Sequence, residues 1–209
     1  MVMPIVRINS YEDTRFDSDV LAQHGAFLLD EVPISFLILD NQSALVCTDH
    51  KGDLGEVINR FRFYTEHIYR FINPDGTIIR EFEPKAVFSL TLDQIQPSQF
   101  YVDQEKVDAL IPIIGDWSDI IIPVMEDDGR FIAFDGHTRL AIACQRGYEC
   151  VKAFYAESDE TIHDFAVEAQ RRDVFLPSDL KVIEHAEFDK LWNQFCDDFF
   201  TNRDANLTD

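Results

Sequence analysis

The sequence predicts an α+β fold, and three observations carry that expectation. Short apolar runs set apart by polar or proline punctuation ("AFLLDE", "ISFLILD", "ALVCTD") fill residues 26 to 48 and recur after Pro84, the mark of strands. Other stretches carry apolar residues at helical spacing, as at Leu54, Val57, Ile58 and Phe61. With 46% hydrophobic and 12% aromatic content, including 18 phenylalanines in 209 residues, the chain has the means to bury an ordinary core and a small appended unit.

In an N-terminal α+β unit, residues 1–85, "DNQS" at Asp40 to Ser43 turns one strand into the next, and "GDLGEVINRFRFYTEHI" reads as a helix. "IYRFINPDGTIIREFE" then gives two strands around the turn at Asn73 to Gly76. Over residues 86–157 the pattern restarts with the strand "VFSLTL", a turn marked by Pro97 and a helix from Asp103 to Ile114. The strands "IIIPVME" and "RFIAFD" flank the turn "DDG"; a helix running to Gly147 and the strand "VKAFYAE" complete the unit. Gly147 suits the left-handed residue that closes a helix. Residues 158–209 read as acidic helices packed on the core. Ile162, Phe165, Ala166 and Ala169 line one, and Phe188, Leu191, Trp192, Phe195 and Phe199 line the other. The tail "TNRDANLTD" is expected to fray.

Acids outnumber bases 39 to 18, a formal charge of −21. A surface of that sign repels the phosphate backbone that supplies most nucleic-acid affinity, so a nucleic-acid partner is disfavoured and any anion site must be local. Cys47, Cys144, Cys150 and Cys196 form no CxxC pair and have no histidines at zinc-ligand spacing, which points to reduced, mostly buried thiols and no structural zinc. The opening residues lack the basic start and apolar run of a signal peptide, and no later run approaches the roughly 20 residues of a membrane span. The expectation is a cytoplasmic protein without a membrane partner.

The stretch "FDGHTRLAIA", Phe134 to Ala143, carries the clearest chemistry. Where a strand ends in a glycine turn and a helix begins at once, the first amides of that helix lack intrahelical partners and point outward at the positive end of the dipole. An anion accepts those donors. Gly136 lets the backbone approach a ligand, Thr138 offers a hydroxyl, Arg139 a planar fork for two phosphate oxygens, and His137 a further donor. Asp135 is positioned to bind magnesium or to order the loop. Each has a plainer reading beside it: Asp135 or Thr138 capping the helix, His137 a satisfied imidazole, Arg139 paired with a carboxylate.

The longer stretch from Leu90 to Phe154 resembles the ParB/sulfiredoxin-like domain superfamily. The likeness runs through a proline-marked segment after a first strand, a helix, a "P-V" strand, a hairpin turn, a "DGH-x-R" loop opening a helix, and a glycine before a last strand. It implies a mixed-sheet domain over residues 86–157, with Gly136, His137, Thr138 and Arg139 at the nucleotide phosphates and ATP or ADP with magnesium as the cofactor. Sulfinic acid reductases of the superfamily carry a cysteine within the loop, whereas here Gly136 leads directly to His137. Its partition proteins carry a second arginine and a helix-turn-helix domain, which this chain replaces with acidic helices. The nearest pattern is similar to the free serine kinase-like group, in which a glutamate two residues after the proline is the general base. The matching position after Pro97 is Gln99, and a neutral amide cannot accept the proton that phosphoryl transfer must move. Asp103 and Glu105 are the nearby carboxylates, each with a plainer use as charge at a helix start.

Three readings are open. The first is a nucleotide-dependent small-molecule kinase, with Asp135 and His137 in the catalytic site. The second is a non-catalytic ligand-binding or regulatory protein that kept the phosphate loop and lost the base at Gln99, with residues 1–85 offering a surface to a protein partner. The third, disfavoured by charge, is a ParB-like DNA-binding protein.

Overall fold

Hydrophobic alternation in the first strands gives the first sheet its core face. The computed structural model describes residues 4–63, 65–158 and 161–206, with side chains as far as residue 203. Its first sheet runs in the order β1 to β6: β1 (Ile5–Arg7), then helix α1 (Ser18–Ala22), β2 (Ala26–Leu29), β3 (Val32–Ile38), β4 (Ser43–Thr48), helix α2 (Gly55–Arg62), β5 (Arg70–Ile72) and β6 (Ile78–Glu81). Neighbours are antiparallel except β4 and β5, whose parallel pairing needs the crossover that α2 supplies. In β3, Ile34 and Phe36 are buried while Ser35 between them and Leu37 after them are half-buried. Val57, Ile58 and Phe61 of α2 cover that face. The Phe36 and Phe61 rings stack at 4.6 Å, and Phe71 meets Phe36 edge-on at 6.0 Å, favoured aromatic geometries.

The second sheet is mixed. It is built from β7 (Val87–Thr91), β8 (Ile95–Pro97), β10 (Ile121–Asp127), β11 (Arg130–Ala133) and β12 (Cys150–Tyr155) in the order β7-β12-β10-β11-β8. β9 (Tyr101–Asp103) and α3 (Gln104–Leu110) lie between β8 and β10 in sequence, and α4 (His137–Gln145) joins β11 to β12. β10 is parallel to β12, and β11 to β8. Ile95, Ile122, Val124, Leu140, Ile142 and Val151 share the core beneath α4. After α5 (Thr161–Arg171), β13 (Lys181–Ile183) pairs in parallel with β9. A last helical stretch comprises α6 (His185–Phe188), a wide π turn at Asp189–Asn193, and α7 (Gln194–Asn206). Among the described residues, no helix is long and apolar enough to cross a membrane.

Several local expectations need correction. Pro97 ends strand β8 rather than marking a free turn: β8 is an edge strand, where a residue without an N–H is tolerated. The helix expected from Asp103 to Ile114 stops at Leu110, because Pro112 has no N–H with which to extend the ladder; Asp103 is its N-cap, accepting from the Glu105 amide at 3.0 Å. Leu191, inside the π turn, is 45% exposed, out of line with the buried Phe188, because the wider turn rotates its residues off the α-helical stripe. The four cysteines are free but half-buried rather than buried. The tail is helical to Asn206, and residues 207–209 lie outside the described residues.

Candidate functional site

Strand β11 delivers the chain to Asp135, and α4 starts at His137. Gly136 makes the turn possible for two reasons. Its φ is +83°, in the left-handed region, and a Cβ there would stand 2.6 Å from Ile122 Cγ2 in β10. The first amides of α4 therefore open at the edge of the sheet core, with no preceding turn to accept them.

The motif's side chains divide their roles. His137 faces inward and is 5% exposed. Its Nε2 accepts the Ser98 N–H at 3.1 Å, so the ring proton belongs on Nδ1, and the Ser98 hydroxyl donates to the Ala133 carbonyl at 2.8 Å. Burial above all holds His137 neutral, lowering it to about 4. The imidazole fastens the end of β8 to the start of α4, and the Ser98 hydroxyl ties it to the end of β11. The Arg139 guanidinium donates to the Ile121 carbonyl and, at 3.1 Å, to Asp135 Oδ2. Asp135 is thus an ion-pair partner one helical turn away, and part of Arg139's fork is already engaged. Thr138 is half-buried, and its hydroxyl is not committed to another group among the described residues. Gln99 turns its amide back to the Tyr101 carbonyl. Asp103 is 1% exposed and accepts from His185 at 2.8 Å, and Glu105 is exposed; neither reaches the loop.

Asp135 to Arg139 and Gln99 form part of the wall of a cavity of about 540 Å³ between the two sheets. The rest of the wall comes largely from elements outside the motif. Arg7 of β1, His24 after α1, the segment from Ile38 to Asn41, Arg60 and Phe61 of α2, and Lys106 and Leu110 of α3 all contribute. Four cations, Arg7, Arg60, Lys106 and Arg139, share this wall with three carboxylates, Asp40, Asp119 and Asp135. Each carboxylate has its own donors. Asp40 accepts the Gln42 and Ser43 amides at 2.8 Å each, Asp119 those of Gly115 and Asp116 at 2.7 and 3.0 Å, and Asp135 pairs with Arg139. Arg7 and Lys106 have no carboxylate in salt-bridge reach among the described residues. Arg7 donates to Asn9 at 3.0 Å, and Lys106 lies 4.8 Å over the Phe188 ring. Arg60 pairs with Glu56 at 3.7 Å, so in a chain of net charge −21 the wall's cations without an ion-pair partner among the described residues are Arg7 and Lys106.

The sequence brought Asp135 to Arg139 and Gln99 into one neighbourhood; it held no sign of Arg7, His24 or Arg60. These belong to no motif and meet the loop only through packing of the two sheets. The one local trace is "HG" at His24-Gly25, a left-handed residue closing a short helix, with a His24 φ of +55°. Among the described residues, no three His, Cys, Asp or Glu side chains gather into a metal site.

No protein-family model matches the chain, and no curated protein matches it. Among solved structures it is similar to the crystal structure of protein Atu1540 from Agrobacterium tumefaciens, at 16% identity with a TM-score of 0.31. That match covers 45% of this chain and 52% of the other, about half the length of each, and is too slight to bear on fold or function.

Proposed function

We propose that the cavity binds a phosphate-bearing small molecule, a nucleotide being of suitable size, and that the protein acts by binding rather than by transferring the phosphoryl group. One observation carries this reading: the start of α4 opens into a cavity whose wall holds four cations in a strongly acidic chain. Helix-start amides, the free Thr138 hydroxyl and Lys106 offer an oxyanion several donors at once. The resemblance of residues 90 to 154 to ParB/sulfiredoxin-like domains, whose matching loop holds nucleotide phosphates, supports the same ligand class. The kinase reading has less support. Gln99 is neutral and turned to its own backbone, and the carboxylates on the wall are already engaged by amides or by Arg139.

A thermal-shift panel of ATP, ADP, CTP and GTP with magnesium tests this on the wild type and on Lys106→Gln, which removes a cation with no ion-pair partner. A ligand at about a hundredfold its dissociation constant adds roughly 2.7 kcal/mol of stability. At roughly 2–4 °C per kcal/mol for a chain of this size, that is a rise of about 5–11 °C, reduced in the variant. No rise with any nucleotide refutes the reading. A phosphorylation assay with free serine on wild type and Gln99→Glu then separates binding from catalysis: turnover by the wild type refutes the non-catalytic assignment.

A further inference from the structure

We propose that His24, in the N-terminal unit, is a ligand-contacting residue of this cavity, donating from its imidazole Nε2 to an oxyanion that carries two or more negative charges, as a phosphomonoester or diphosphate does. The assignment rests on the reading of the cavity as an anion site. It begins with the backbone. His24 follows Gln23, the C-cap of α1, in the left-handed region at a φ of +55°, where glycine or asparagine is the usual choice and a larger side chain is disfavoured. Strained positions of this kind gather at ligand sites, where the surrounding structure holds them.

The ring is also poorly satisfied by the protein itself. It lines the cavity, yet Nδ1 is closed off from solvent and has no hydrogen-bond partner, which leaves Nε2 as the nitrogen able to meet a ligand. Arg7 from β1, Lys106 from α3 and Arg139 from α4 all act on it electrostatically, with Asp135 opposing them. Tyr11 lies beside it, ring centroids 6.1 Å apart, with its own hydroxyl buried and unpartnered among the described residues. Burial first, and then the three cations, hold His24 neutral, at about 4. At neutral pH the ring therefore offers a single N–H and remains compatible with its cationic neighbours. Arg139 already answers Asp135, whereas Arg7 and Lys106 have no carboxylate of their own among the described residues. Two cations without ion-pair partners, both acting on this donor, suit a doubly charged oxyanion better than a carboxylate.

Calorimetric titration of the full chain with pyrophosphate is the test, on wild type, His24→Asn and Lys106→Gln, with imidazole ¹⁵N shifts followed in the wild type. Asparagine accepts the left-handed backbone, so that variant keeps the turn. The expected result is about tenfold weaker binding by His24→Asn, the effect of one lost hydrogen bond to a charged group. The ratio to wild type should stay constant between pH 6.5 and 8, and the His24 ring resonances should shift on binding. Equal affinity within twofold for His24→Asn, with Lys106→Gln still weakened, overturns the role of His24 and leaves the anion site standing. A ratio that grows toward acid overturns the neutral form. Should His24→Asn fail to fold, unshifted His24 ring resonances in the wild type overturn the proposal by themselves. No binding of pyrophosphate by the wild type overturns both this proposal and the anion site.

Discussion

Gly136→Ala, measured beside Gly147→Ala, isolates the close approach that builds the α4 turn. Both glycines have left-handed backbones, at φ of +83° and +68°. A Cβ at Gly147 meets no atom within 4 Å, so that substitution costs only the conformational penalty, roughly 1 kcal/mol. A Cβ at Gly136 adds a 2.6 Å encounter with Ile122 Cγ2 and contacts of 3.2 and 3.3 Å with the Arg139 guanidinium. Ile122 is fully buried in β10 and has no room to retreat, so an overpacking cost of about 1–3 kcal/mol joins the first. The total is roughly 2–4 kcal/mol. At roughly 2–4 °C per kcal/mol, Gly147→Ala should melt about 2–4 °C below wild type and Gly136→Ala about 4–16 °C below. Urea denaturation provides the same comparison in free energy. Equal losses for the two variants would refute the argument that Gly136 is required by packing as well as by φ.

Acid should destabilise the fold in a defined window. His24, His67 and His137 are held neutral by burial, lowered to about 4, 3 and 4, so below about pH 6.5 the unfolded chain takes up protons that the folded one does not. Stability is complete above pH 6.5 and falls toward pH 4, by at most about 1.4 kcal/mol per pH unit for each histidine. His67→Leu should remove about a third of that slope, and urea midpoints at pH 7, 6 and 5 for the two proteins check it. Asp103→Ala should cost about 1 kcal/mol through the lost α3 cap. It should also return His185, raised chiefly by its hydrogen bond to Asp103, toward its ordinary range, which a histidine NMR titration reads directly.

What the sequence disclosed was what is local. The strands of residues 26 to 48, the turn at Asn73 to Gly76 and the glycine-bounded helix from His137 to Gln145 are written in alternation, turn residues and caps, and they stand in the structure. Pairing between distant short segments has no such signature. β13 meets β9 from 80 positions away with three residues on each side, and α1 is five residues long, too short to show a period. At the site, the motif marked the right loop but not which way its side chains face. His137 is turned inward because Ser98, 39 positions earlier, offers it an amide, and nothing around residue 137 encodes that. Arg7, His24 and Arg60 became cavity residues through the packing of two sheets, a level at which single-chain patterning is silent.

The π turn at Asp189–Asn193 lets one continuous helical rod serve two masters. Before it, Phe188 is buried next to Lys106, whose ammonium group covers its ring at 4.8 Å. After it, Phe195 packs on Phe100 at 5.2 Å and on Phe165 at 5.8 Å, with the Arg172 guanidinium 5.1 Å from its ring. An unbroken α-helix presents one stripe and would have to choose between these neighbours. The extra residue acts as a coupling between misaligned shafts, and it ties the helix that carries a cavity lysine to Phe100 and to Phe165 of α5 through a single rigid element.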